Sequence, residues 1–231
     1  MKKIFIFLLF IAAFSAHSQT VVLKVDRKSE QRVSDRGPNL KRFSHFFIRG
    51  GVLASEDKPG ARIIYGPSVN LAFGVRVKYK ISNVYSLGYE IENEFTDYKF
   101  KQEKGKTIPD TIINEMGRLD YSSLAAGLYN RINFDPSRGN FLGTFLDIGV
   151  KGELHYSIKY ITKNELPDGT LEKTSIRHLS YINNANVNVY GRLGFSHFSL
   201  HASYRLLDLF KSSVSYSDLP RIVAGIDIAI F

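Results

Sequence analysis

The chain has 231 residues, 44% hydrophobic and 23% charged, with 31 Lys plus Arg against 22 Asp plus Glu for a net +9. An aromatic share of 13% excludes a disordered chain, and 18 Gly with 7 Pro exclude a collagen-like or low-complexity one. The lack of cysteine excludes a disulfide scaffold, a thiolate metal site, a cysteine nucleophile and a lipid-modified N-terminal cysteine, which leaves one folded, basic, aromatic-rich body.

Residues 1–18 read as a secretory signal peptide: Met1-Lys2-Lys3 is basic, Ile4 to Phe14 is apolar, and Ala16-His17-Ser18 supplies small residues before a cleavage expected after Ser18. Those eleven apolar residues reach only about half of the roughly 20 a spanning helix needs. Residues 19–42 form a basic lead-in, with seven cations against three anions between Lys24 and Arg42. It is expected to be a periplasmic tail, with docking to an acidic partner or anionic head groups as the alternative.

From residue 43 onward apolar and polar residues alternate with the period of a strand. Eight such segments are expected, at 43–54, 66–81, 84–98, 118–134, 141–161, 177–194, 197–209 and 219–231. Leu119 and Tyr121 are out of phase with Leu124, Ala126 and Leu128, and a bulge near Ser122-Ser123 is expected to repair this. Prolines 38, 59, 109, 136 and 167 fall between segments, while Pro67 and Pro220 lie at starts. The connections alternate long and short. The fold class expected for 43–231 is therefore all-β, an eight-stranded antiparallel up-and-down transmembrane β-barrel with a polar, side-chain-filled lumen and both termini on the short-turn side.

Alternation does not say which face is inside; the charges do. Segments RVKYK and EIENE carry opposite charge in matching phase, and an odd-numbered turn around Asn83 sets Arg76 opposite Glu90. The expected lumen network is Arg49, Arg76, Lys78, Lys80, Glu90, Glu92, Glu94, Arg131, Asp147, Lys151, Glu153, Arg192, Arg205 and Asp227. On the apolar face, Tyr79, Tyr85 and Phe198 near the short turns and Tyr156, Tyr160, Tyr181 and Tyr204 near the long loops are expected to form interfacial girdles.

The signal peptide, the eight amphipathic segments and the final run Ile222 to Phe231 together resemble small outer-membrane β-barrel proteins of the PorT-like type found in Bacteroidota. The resemblance spans 43–231 and is architectural. It implies Sec-type export, residence in the outer membrane of a Gram-negative bacterium, contact with outer-membrane lipid, and insertion by the barrel-assembly machinery reading terminal Phe231. Here the apolar phase falls on Ile226, Ile228 and Ile230, one step from Phe231.

Chemistry has little support. His178 and Ser180, a His-x-Ser pair expected on one strand face, are weak catalytic candidates for a lipid A or phospholipid hydrolase; His155 is expected inside, between Lys151 and Lys159. No nucleotide, calcium-loop or zinc-protease motif occurs, so no cofactor and no metal are expected, and scattered cations in an exported chain argue against nucleic acid. A structural or interaction module of the envelope is the leading expectation, with an envelope protein contacted through the long loops, notably Lys101 to Gly117, or through 19–42. A lipid-modifying enzyme and a narrow channel are the alternatives.

Overall fold

The structure, a computed structural model, describes residues 36–54 and 58–231; the expected signal peptide and most of the lead-in lie outside them. The described strands are β1 (Arg42–Ala54), β2 (Val69–Lys80), β3 (Tyr85–Phe100), β4 (Met116–Asn133), β5 (Thr144–Glu165), β6 (Leu171–Arg177), β7 (Ala185–Phe195), β8 (Phe198–Arg205) and β9 (Ile222–Ile230). Every pairing is antiparallel, in the order β4-β3-β2-β1-β9-β8-β7-β5, and β4 pairs with β5. Eight strands thus close on themselves, which leaves the barrel wall without an edge. Strand β6 stands outside this ring and pairs with the far end of β5 as an arm.

Alternation decides the wall. On β3 the outward series is Tyr85, Leu87, Tyr89, Ile91, Asn93 and Phe95, and the inward series begins Ser86, Gly88, Glu90, Glu92 and Glu94. Asn93 interrupts the outward apolar series and accepts from the Tyr156 hydroxyl at 3.0 Å. Ten steps from Tyr85 to Phe95 extend about 34 Å along the strand, or about 26 Å along the axis at a tilt of about 40°. A transverse row of Asp97, Asp120, Lys159 and Arg177 then ends the apolar band.

Three expectations need correction. The irregularity lies opposite Ser122 and Ser123, but the extra residue is Tyr156 of β5, because Ser122 pairs with Ser157 and Ser123 with His155. Strand β4 needs no repair: Leu119 and Tyr121 point inward, where the loop end of the barrel is apolar. Beyond Tyr156 the phase of β5 inverts, so Tyr160 is buried inside and Lys159, expected inside, belongs to the outer row. Tyr160 and Tyr181 accordingly leave the expected girdle for the interior core, whereas Tyr156 and Tyr204 stay exposed. Residues 178–184, expected in strand, instead form the connection between β6 and β7.

Candidate functional site

The interior is filled in layers. Its middle holds two ion-pair clusters built from alternate residues of facing strands. In one, Asp147 accepts from Arg131 at 2.6 and 2.8 Å and from Arg192 at 3.2 Å; Arg192 reaches Glu90 at 2.5 Å; Glu90 takes Arg76 at 2.8 Å; and Arg76 ends on Asp227 at 2.9 Å. In the other, Arg49 forks onto Glu92 at 3.0 and 2.9 Å and touches Glu94 at 3.2 Å, while Lys151 binds Glu92 at 2.7 Å, Glu94, and Glu153 at 3.3 Å. Asn188 and Asn70 extend this cluster by donating to Glu153 and, at 2.6 Å, to Glu94.

Burying so many charges is tolerable only when each has an opposed partner. Aromatic rings insulate them further. Arg76 lies 4.1 Å over Phe47, Arg131 3.5 Å over Phe145, and Arg192 between Tyr129 at 5.0 Å and Tyr190 at 4.8 Å. Planar guanidinium stacks in this way better than ammonium does, which explains the preponderance of Arg. Gly88 and Gly194, directly opposite Tyr129 and Phe145, leave the room in which those rings lie against the wall.

The short-turn mouth is covered by residues 37–40. Strand β1 and the β4–β5 turn stand on opposite sides of the ring, yet Asn39 donates to Asn140 at 3.1 Å and to the Arg138 and Gly139 carbonyls at 2.8 and 3.0 Å. Lys78 bonds the Pro38 carbonyl, and Lys80, only partly buried, bonds the Asn39 carbonyl at 3.1 Å. Both lysines therefore serve this cover rather than the acid clusters. Phe43, Leu142 and Phe145 pack beneath it. Phe231 sits beside it, its ring 5.0 Å from Phe43 and 4.4 Å from His197.

At the opposite end the long connections fold inward. Ile63, Ile108, Leu179, Ile182, Leu209, Phe210 and Leu219 meet Tyr98, Phe100, Leu119, Tyr121 and Tyr160 from the wall in one apolar core. Arg205 lies under this core, and its acid is Asp218 of the β8–β9 connection at 2.9 Å, with the Tyr98 hydroxyl at 3.2 Å. Asp218 at this end and Asn39 and Arg138 in the short-turn cover hold the two ends closed, and alternation does not single them out. The run Thr96, Tyr98, Phe100, which continues the phase of Glu90 to Glu94, was the available signal for an apolar inner end.

His178 and Ser180 lie on the exposed rim of a cleft of about 500 Å³ with His155, Lys159, Arg177 and Lys211. They are not on a strand: His178 has φ 57°, and the Ser180 carbonyl accepts from Lys211 at 2.6 Å. Among the described residues no hydrogen bond joins His178 to Ser180, and no carboxylate lines the cleft to orient a histidine base. No group of three or more His, Cys, Asp or Glu able to hold a metal occurs among the described residues.

No protein-family model and no curated protein matches the chain. Two crystal structures of Ail, the attachment invasion locus protein of Yersinia pestis, are similar to it. One, in complex with the heparin analogue sucrose octasulfate, is 13% identical with TM-score 0.32 over 80% of this chain and 94% of that chain. The other is 16% identical with TM-score 0.31 over 82% of this chain and 95% of that chain.

Proposed function

We propose that the chain is an outer-membrane barrel acting as a structural or interaction module of a Gram-negative envelope, and not as an open pore. One observation carries this reading: a wall with an apolar outer band encloses an interior that side chains close at three levels. Outward residues such as Phe46, Leu71, Phe73, Leu128, Leu154 and Leu200 are exposed in numbers a water-soluble surface rarely presents. The band height of about 26 Å matches the roughly 25 Å of an outer-membrane barrel. Inside, the cover at 37–40, the ion-pair clusters and the loop-end core lie in series.

The finer parts of the proposal follow from the sequence. Residues 1–18 would direct Sec-type export, Phe231, one residue past β9, would be read by the barrel-assembly machinery, and the PorT-like resemblance favours a host among Bacteroidota. A protein partner would meet the outer connections, where Ile112 and Ile113 remain exposed while Ile108 is buried, or residues 19–42. The purified chain in detergent tests the reading. A barrel runs faster on a gel before boiling than after it and gives no steady conductance in a planar bilayer. Equal mobility, or large steady conductance, would contradict it.

A further inference from the structure

Strand β5 changes partners across a gap. Up to Leu154 its edge pairs with β7, and from Lys159 onward with β6, so residues 156–158 have no strand partner on that side. The extra residue Tyr156 sits within this fork, and the cleft described above opens there. We propose that the fork is a binding site for a phosphate- or sulfate-type oxyanion, held by Arg177, Lys159, Lys211 and His178 with the His155 imidazole beneath.

The charge balance of the fork is the reverse of the interior's. Three permanent cations and two imidazoles line it, and no Asp or Glu does. Among the described residues the side chains of Arg177, Lys159 and His178 have no hydrogen-bond or ion-pair partner; Lys159 stands opposite Asp120 in the β4–β5 ladder without an ion pair to it. Lys211 is steered to the rim by its bond to the Ser180 carbonyl and keeps two further N–H donors. Arg177, His178 and Lys211 are exposed and Lys159 is half-buried, so water reaches them, and a set of cations lining one cleft with no acid among them favours an anion that exchanges with that water.

A second observation points the same way. His155 is 9% exposed, lines the cleft, and has neither ring nitrogen hydrogen-bonded, its ring held 4.7 Å from that of Tyr121. A buried imidazole carries at least one N–H in either tautomer and normally finds an acceptor for it; His201 inside the wall is in the same state, and of the two His155 is the one that lines the cleft. The left-handed backbone at His178, unusual outside glycine, turns the chain from β6 so that Leu179 enters the loop-end core and His178 stays on the rim. Arg177 contributes a planar fork of donors that matches two oxygens of such an anion.

The site's chemistry stands on the cleft alone. Its ligand is a soluble oxyanion or one borne by a lipid head group, since Lys159 and Arg177 lie in the row that ends the apolar band; only that second source rests on the membrane reading. The test uses the full chain in phosphate-free maltoside detergent, titrated with inorganic phosphate while the histidine ring resonances are followed, with chloride as control. Saturable shifts at His155 and His178 are expected, with Arg177→Gln and Lys211→Gln each weakening binding about tenfold. Arg118→Gln should bind as the parent does, because Arg118 is already engaged by Asp97 at 3.5 Å and Asp120 at 3.3 Å. A second arm compares phosphatidylcholine nanodiscs with and without phosphatidic acid. Movement of the same resonances there assigns a lipid source, and movement with inorganic phosphate alone assigns a soluble one. No saturable shift in either arm, or unchanged binding in Arg177→Gln and Lys211→Gln, overturns the proposal. A gel with no heat-dependent shift would instead count against the membrane reading and leave the detergent titration readable.

Discussion

Arg76 on β2 donates to Asp227 on β9 at 2.9 Å, joining strands 151 residues apart in the chain. Strand β1 lies between them, and the guanidinium crosses it by resting 4.1 Å over the Phe47 ring. The second and last strands of the ring are therefore fastened from inside, across the β1–β9 seam where the wall closes. Removing Asp227 leaves Arg76 only Glu90, an acid it already shares with Arg192, so the buried cluster carries one guanidinium too many. Asp227→Asn is expected to lower stability by about 3 kcal/mol, read from urea unfolding in lipid. Arg76→Met with Asp227→Leu should recover much of that loss, because Glu90 keeps Arg192 at 2.5 Å.

Leu119 and Leu128 lie on one strand and face opposite ways, with 2% and 66% exposure. Leu119→Ala opens a cavity in the loop-end core and should cost about 2–5 kcal/mol. Leu128→Arg carries a charge into the middle of the outer band and should cost about 2–4 kcal/mol in a bilayer. Denaturant titration of both variants in the same lipid checks the pair. A tolerated Leu128→Arg would mean that this face does not meet lipid.

Deletion of residues 36–40 removes the short-turn cover, including the Asn39 bonds to the β4–β5 turn. Planar-bilayer recording of this variant should still show no steady conductance, because the ion-pair layer and the loop-end core close the same path. A steady channel on this deletion would mean that the cover alone seals the lumen.

Deleting Tyr156 would restore a single phase along β5. His155 and Ser157 would then adjoin in the register they already hold against Ser123 and Ser122, with Tyr160 still inside and Lys159 still in the outer row, so a folded chain with a heat-shifted gel band is expected. Loss of that gel shift would mean that the inversion at Tyr156 is itself needed for the wall to close.

That inversion also marks where sequence reading stopped. The eight wall strands, their antiparallel order and the polar interior were legible because period-two alternation and opposed charges on RVKYK and EIENE survive any detail of packing. A bulge has no residue-level marker. One extra residue in β5 puts Tyr160 inside and Lys159 out, whereas the out-of-phase Leu119 and Tyr121 point to a bulge in β4 that the strand does not contain. An apolar inner end reads like an apolar outer face, so the core around Tyr98, Phe100 and Tyr121 was not separated from lipid-facing residues. The cover at 37–40 and the Arg205–Asp218 pair depend on contacts between segments far apart in the chain, which local pattern does not carry.

The central claim is that the apolar face points to lipid and the charged face inward. The chain has no Trp, so a single introduced indole reports without background. Leu128→Trp and Phe145→Trp, the latter replacing a side chain 3% exposed inside the wall, would each be reconstituted in lipid brominated along its acyl chains. Strong quenching of Leu128→Trp with little quenching of Phe145→Trp is predicted. Equal quenching of the two, or quenching of Phe145→Trp alone, would contradict the account.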